Sequence, residues 1–343
     1  MMVLKARLYF RDQQGHSLLS KASFKALTEP LNYEGEDRKV GFELEFSGLT
    51  LEQTVDVLQQ ELPGELVSVS KAEQKIEVNG LGSFNVEIDW DYLKRKAKAE
   101  GGDESAWVRE LGSLAENLVP IEIVCPPLSL KQCEQLLPLT EALRKAGAKG
   151  TDESWIAAYG VHINPEVPSL DANVLLRYLQ AFSLLQWWLV EAHRVDTTRK
   201  LSPYIDKYPE AYTRLLVTQH EVTQEQLIDD YLKHNATRNR ALDMLPLFAF
   251  LDEEKVMAAV DDNKINARPT FHYRLPNCQL EHPDWQLTEP WKMWWVVDAL
   301  ADDQQALDYW KQAFKDAERP LMGVSEKDWK KRLEQWLQDR EWL

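Results

Sequence analysis

Polar and apolar residues alternate strictly along VGFELEF, residues 40–46. Successive side chains of a strand point to opposite faces. Phe42, Leu44 and Phe46 therefore share one face. Glu43 and Glu45 share the other, about 7 Å apart along the strand. The same kind of polar face returns four times. In FNVEIDW, Phe84, Val86, Ile88 and Trp90 oppose Asn85, Glu87 and Asp89. In PIEIV, Glu122 sits between Ile121 and Ile123. In VHIN, His162 and Asn164 oppose Val161 and Ile163. In RPTFHYRL, Arg268, Thr270, His272 and Arg274 oppose Pro269, Phe271, Tyr273 and Leu275.

Between these strands the period changes. TLEQTVDVLQQEL (50–62) is helical, with Thr50 and Gln53 spaced as a capping box. IEVNGLGSFNVEIDW (76–90) reads as strand, glycine turn and strand. A charged loop at 94–105 leads to a helix at about 105–117. Pro126 and Pro127 close the strand at 120–128, and Ser129 with Gln132 opens a helix that runs to about 146. Residues 168 to about 262 read as mostly helical, interrupted by the basic loop HRVDTTRKLSPY (193–204). Residues 286–343 are helical and rich in tryptophan. Core packing is the expected role of those indoles, ahead of a ligand platform. Strands and helices mix without a regular βαβ rhythm. The fold class that follows is α+β, with an antiparallel sheet rather than a doubly wound parallel one.

Composition narrows the function. The chain has 343 residues, 44% hydrophobic and 28% charged, ordinary for a globular protein with a large core. Its net charge of −16 makes it a poor general binder of nucleic acid or of anionic membrane. Cys125, Cys133 and Cys278 are few, odd in number and widely spaced. They form neither a disulfide framework nor a zinc motif, and a reducing compartment follows. The stretch MMVLKARLYFRDQQGHS lacks an apolar run of signal-peptide length. The most apolar helix, 178–192, is too short to span a bilayer and contains Gln180, Gln186 and Glu191. A cytoplasmic protein is expected.

The polar strand faces carry mainly Glu, Asp, His and Arg, and these short strands contain no lysine. If they join one sheet, carboxylates and imidazoles converge beside two arginines. Like charges that close need a counter-charge to stay ionised. Hard divalent cations, Mg²⁺ or Mn²⁺, supply it through oxygen ligands, and imidazole can join a Mn²⁺ site. A zinc site is disfavoured: HEVTQ (220–224) fails the HExxH pattern at its last position. Mg²⁺ with arginine is the usual apparatus for nucleotide phosphates. GAKGT (147–151) lacks Walker A spacing, and no GxGxxG follows a strand. ATP, if used, would be held by metals and arginines on the sheet. Arg194, Arg199 and Lys200 could close over an anion, although a solvated loop is the plainer account. Arg238 and Arg240 read the same way.

RKVGFELEFSGL, FNVEIDW, PIEIVCPPL, YGVHINPE and TFHYRLP occur in the order and character of the amidoligase family. That family resembles the carboxylate–amine ligases that include glutamine synthetase and glutamate–cysteine ligase. The resemblance spans roughly 38–300, with a helical insertion at about 168–262, a lead-in at 1–37 and Trp-rich helices at 301–343. It implies a curved antiparallel sheet lining an active-site cleft, with helices outside, like the glutamine synthetase catalytic domain. It implies that ATP phosphorylates a carboxylate and that an amine then displaces phosphate to form an amide. The substrates would be small-molecule or peptide carboxylates and amines. Glu43 and Glu45 match the family's E-x-E and would divide between metal sites. Asp89 and Glu122 match its later acidic positions, and His162 matches the histidine of its G-x-H-x-x strand. Arg274 matches the arginine of a late E-x-R strand and would contact phosphate, with Glu45 beside it in catalysis and Arg268 and His162 as further nucleotide contacts. One position departs: the glutamate of E-x-R is His272 here. Imidazole binds metal without carrying charge. That weakens a Mg²⁺ site, shifts preference toward a softer metal, or marks a changed activity. Two other functions share these residues. One is a phosphotransferase on the same scaffold. The other is a nucleotide- or metal-binding protein without turnover.

Overall fold

The computed structural model describes residues 23–70, 72–88, 120–151, 159–195, 205–260, 262, 264–319 and 322–343. The expected helix at 105–117, Asp89, Trp90, Arg199 and Lys200 lie outside the described residues. The strands are β1 (Val40–Phe46), β2 (Gly64–Val69), β3 (Glu73–Val78), β4 (Gly82–Ile88), β5 (Ile121–Val124), β6 (Val161–Pro165), β7 (Leu242–Asp243) and β8 (His272–Tyr273). They form one antiparallel open sheet in the order β2-β3-β4-β5-β1-β6-β8-β7. The α+β class read from the sequence holds, and β1, the first strand legible there, lies inside the sheet.

The alternation in β1 does what its pattern requires. Phe42, Leu44 and Phe46 are buried to 1% exposure or less, while Glu43 and Glu45 face the other side. The apolar face of the sheet continues through Phe84, Val86, Ile123, Val161, Ile163 and Tyr273. Helices cover it. Helix α1 (Leu51–Glu61) packs on β3 and β4 and against α3 (Leu136–Ala146). A short turn, α2 (Leu130–Cys133), precedes α3, so the helix expected from Ser129 to about 146 is broken at Glu134 and Gln135. Both predicted capping boxes are formed: the Thr50 side chain accepts from the Gln53 N–H, and the Ser129 side chain from the Gln132 N–H. Each satisfies backbone donors that a helix start leaves without partners.

The longest helix, α4 (Ala172–Ala192), is apolar nearly all round because it is enclosed nearly all round. Helices α5 (Glu210–Thr218), α9 (Thr288–Asp302), α10 (Gln304–Ala317) and α11 (Glu326–Asp339) pack against it. Between α4 and the sheet, Tyr178 stacks on Phe271 at 4.6 Å, and Trp294 meets Phe271 and Tyr273 at 5.2 and 5.5 Å. Trp310 packs edge-on against Trp329 and Trp336. Trp291, Trp294 and Trp310 are fully buried, so those indoles belong to the core. Helices α6 (Gln224–Asn235), α7 (Leu245–Leu251) and α8 (Glu253–Ala259) complete the segment between α5 and β8. Among the described residues, no helix is long and apolar enough to cross a membrane.

Two features differ from the sequence reading. The segment 168–262 is mostly helical, as read, but it also holds the unforeseen two-residue strand β7, which pairs with β8, Asp243 opposite His272. The strand expected along 266–276 pairs as a ladder only at His272 and Tyr273, with single bridges at Thr270 and Asn277. Pro269 and Pro276 lack the N–H that a longer ladder needs.

A buried ion pair ties the start of β1 to the helices. Arg38 donates from Nη1 to Asp298 Oδ1 at 2.9 Å, and both side chains are fully buried. Tyr178 Oη and the Thr28 N–H and Oγ1 also donate to the Asp298 carboxylate. Arg38 Nε donates to the Glu166 carbonyl at the end of β6, which fixes β1 and β6 to α9 together.

The β1–α1 turn depends on Gly48. Its φ is +90°, and a Cβ there would sit 2.4 Å from the Gly147 carbonyl oxygen. Strain and clash combine, so Gly48→Ala is expected to destabilise the protein by about 1–3 kcal/mol. A urea-unfolding midpoint unchanged from wild type would refute this.

Candidate active site

Register decides which polar residues meet. In β1, Glu43 lies opposite His162 of β6, and Glu45 lies opposite Glu122 of β5. The row continues: Glu122 pairs with Glu87 of β4, and Glu87 with Glu73 of β3. On the other side, Ile163 pairs with Tyr273 of β8, which sets His162 and Asn164 on the same face as His272 and Arg274. Asp243 of β7 extends that face behind His272.

His162 joins the two glutamates. Its Nδ1 lies 2.6 Å from Glu43 Oε2, and its Nε2 lies 3.4 Å from Glu45 Oε1. The other Glu43 oxygen accepts from Asn164 Nδ2 at 2.9 Å, and Arg268 Nη2 donates to Asn164 Oδ1 at 3.0 Å. Glu45 Oε2 accepts the Gly160 backbone N–H at 2.7 Å. His272 stands edge-on to His162, ring centres 5.3 Å apart. Its Nε2 lies 3.9 Å from Glu43 Oε2, and its Nδ1 lies 3.8 Å from Asp243 Oδ2. His272 is 8% exposed, and its Nε2 is buried with no hydrogen-bond partner among the described residues.

Two groups of side chains bring ligand atoms within 4.8 Å of one another: Glu43, His162 and His272, and Glu45, Glu122 and His162. Five of the six sequence-predicted metal ligands are thus together. The sixth, Asp89, lies outside the described residues.

The charge states follow from the surroundings. Burial pushes the Glu43 carboxyl up, but its hydrogen bond to His162, the two neighbouring imidazoles and the Arg268 guanidinium outweigh this. They hold Glu43 well below the usual carboxylate range, and so ionised. Burial pushes His272 well below the ordinary imidazole value, against the pull of Glu43, with Arg274, His162 and Arg268 adding to the drop. His272 is therefore neutral at physiological pH, the form in which imidazole ligates metal. Asp243 is raised by burial, with Arg274, the Leu245 N–H, Arg238 and Arg268 pulling it back.

The arginines divide. Arg268 flanks the site through Asn164, and its Nε also donates to Thr270 Oγ1 at 3.1 Å. Arg274 donates from Nη1 to the Arg238 carbonyl, and its charge acts on both Asp243 and His272. Arg240 is a tie between segments, donating to the Lys207 and His234 carbonyls. Arg238 pairs with Asp262 at 3.4 Å. Arg194 lines a separate cavity of about 340 Å³ beside the ends of α4 and α9.

Two site residues were not assigned from the sequence. Asn164 was visible on the polar face of VHIN, and only its contacts show that it holds Glu43. Asp243 sits in ALDML, where no alternation marks a strand.

The sequence matches the family described as "Putative amidoligase enzyme" over residues 36–296. The chain belongs to this amidoligase family. The matched span contains every strand of the sheet and both groups of candidate ligands. Helices α10 and α11 lie beyond it. At a coarse level, membership supports a ligase-type enzyme. No curated protein matches this sequence.

Proposed function

We propose that this amidoligase is an ATP-dependent carboxylate–amine ligase that works on the polar face of the sheet, curved there into a cleft as in the glutamine synthetase catalytic domain. The observation that carries the reading is the buried His272 Nε2, without a hydrogen-bond partner among the described residues, aimed at an ionised Glu43 beside His162. A donor set of carboxylates and neutral imidazoles with an orphaned nitrogen fits divalent cations. Glu43, Glu45, Glu122, His162 and His272, with Asp89, would hold Mg²⁺ or Mn²⁺. Bound there, the cations would offset the repulsion between substrate anions and stabilise charge on the transferring phosphoryl group.

The chain's own groups then have distinct tasks. Arg268 and Arg274 would hold the ATP phosphates at the side of the face away from the carboxylate row, with His162 as a further contact between them and the glutamates. A substrate carboxylate oxygen attacks the γ-phosphorus and ADP leaves, giving an acyl phosphate. The amine nitrogen then attacks the acyl carbon, phosphate departs, and the nitrogen loses a proton. Glu45, anchored through Oε2 by Gly160, presents Oε1 to this chemistry. A carboxylate alone is a poor acyl donor because its leaving group would be oxide. Phosphorylation removes that obstacle, and assembling the anions is what the cations and arginines make tolerable.

Calorimetric titration with ATP, in Mg²⁺ or Mn²⁺ and again with chelator, tests the proposal. Wild type is expected to bind only with metal, and Glu45→Ala is expected to lose binding while keeping its circular dichroism. No binding by wild type with either cation would remove the ligase reading.

A further inference from the structure

The two ligand groups differ in kind. The groups share His162: Glu43, His162 and His272 offer one carboxylate and two imidazoles, whereas Glu45, Glu122 and His162 offer two carboxylates and one imidazole. What stands behind the first group is more informative. When His162 presents Nδ1 toward Glu43, its Nε2 faces Glu45 Oε1 at 3.4 Å. When His272 presents Nε2, its Nδ1 faces Asp243 Oδ2 at 3.8 Å. Glu43 itself is held by Asn164, which Arg268 holds in turn. Each of the three side chains therefore has a polar group behind it: Asn164 is hydrogen-bonded to Glu43, while Glu45 and Asp243 lie at ion-pair distance from the histidines' second nitrogens. A carboxylate behind a ligating histidine fixes which nitrogen is protonated and raises the basicity of the other. This backing distinguishes a built centre from a chance cluster of acids.

We infer that Glu43, His162 and His272 form a centre for a borderline transition ion of the Co²⁺–Zn²⁺ class rather than for Mg²⁺, with Glu45 and Asp243 as its positioning carboxylates. The inference rests on the proposed metal-binding role of this face and adds which metal goes where. Imidazole suits such ions, while Mg²⁺ prefers oxygen and keeps its water. Imidazole adds no charge when it ligates, so the first group brings a single carboxylate, too little for a strongly hydrated hard ion. Glu45 and Asp243 return charge at one remove, in a form that a softer ion can use through its nitrogen ligands. The neighbouring Glu45–Glu122 pair, in register with Glu87, is the harder position and is where Mg²⁺ would sit. Asp243 matters because β7 carries it to the sheet's end for this one pairing: it is 1% exposed and directly opposite His272.

The test is equilibrium dialysis of the metal-free full chain against Co²⁺ and, separately, Mg²⁺. Wild type is expected to bind Co²⁺ tighter than Mg²⁺ by at least an order of magnitude. Asp243→Asn, which keeps the side chain's shape, should weaken Co²⁺ about 10–100-fold and leave Mg²⁺ within about threefold. His272→Glu should move the preference back toward Mg²⁺. Thermal melts of the metal-free variants report whether they fold. Should Asp243→Asn fail to fold, pulsed EPR of the Mn²⁺-loaded wild type decides instead: imidazole nitrogen couplings are expected. Equal affinity for Mg²⁺ and Co²⁺, unchanged Co²⁺ binding in Asp243→Asn, or a nitrogen-free Mn²⁺ spectrum would each overturn the inference. ATP titration in Mg²⁺ separates this from the ligase reading. Nucleotide binding without a Co²⁺ preference sinks only the metal assignment. A Co²⁺ centre without nucleotide binding sinks only the ligase.

Discussion

Asp298→Ala is expected to destabilise the protein by about 3–5 kcal/mol, because it leaves a buried guanidinium without its counter-charge. Arg38 and Asp298 are both fully enclosed, and the carboxylate also accepts from Tyr178 Oη and twice from Thr28. Without it, Arg38 keeps neutral partners, the Glu29 and Glu166 carbonyls and the Tyr178 hydroxyl, and no counter-charge among these. The loss is a large share of the roughly 5–15 kcal/mol that holds an ordinary domain. It is not the net worth of the ion pair. Replacing both partners by apolar residues of similar volume, Arg38→Met with Asp298→Leu, should cost much less than Asp298→Ala alone, since no charge is then stranded. Urea unfolding of the single and double variants measures both. A single variant that loses under about 1 kcal/mol would mean that water reaches the guanidinium. The pair also bears on the site, because Arg38 lies two residues before β1 and is bonded to the end of β6. Its loss should loosen the two strands that carry Glu43 and His162.

That clamp was invisible in the sequence, and the reason is general. Arg38 and Asp298 lie far apart along the chain, and nothing local in either neighbourhood marks a partner. What was legible was local and periodic. Alternation at 40–46 gave β1 and its two-faced character, and Thr50 with Gln53 gave the start of α1. The histidine of VHIN was placed on the polar face because a period of two leaves no other choice. Register was not legible. That Glu43 lies opposite His162 rather than Asn164 or Gly160 in the ladder depends on pairing between distant strands. The two-residue strand β7 is below the length at which any period shows, so Asp243 was hidden within a helical segment. The phosphate role read for Arg274 came from resemblance. In the structure one of its nitrogens is committed to the Arg238 carbonyl.

Glu43→Gln is expected to weaken divalent-metal binding, and with it metal-dependent ADP formation, by at least about 100-fold, or ~2.7 kcal/mol. Glu43 is the single carboxylate in the group with His162 and His272, so the amide removes the only formal charge that a cation there would meet directly. Shape is preserved, and the amide oxygen can still accept from Asn164 Nδ2. The folded state loses one charged contact with His162, a cost of about 1.5–3 kcal/mol against the whole stability. Binding should therefore collapse in a protein that remains folded. Two opposing effects set the size of the change. Removing Glu43 relieves repulsion from Glu45, which sits on the same face. It also takes away the one charged ligand of its group, and that loss is the larger because Glu43 would meet the cation directly. Glu87→Gln supplies the comparison. Glu87 is in register with Glu122 but belongs to neither ligand group, and its replacement should change metal affinity by less than about threefold. If the two variants bound metal equally well, charge on the sheet as a whole would be attracting the cation, and the assignment of Glu43 as a ligand would fail.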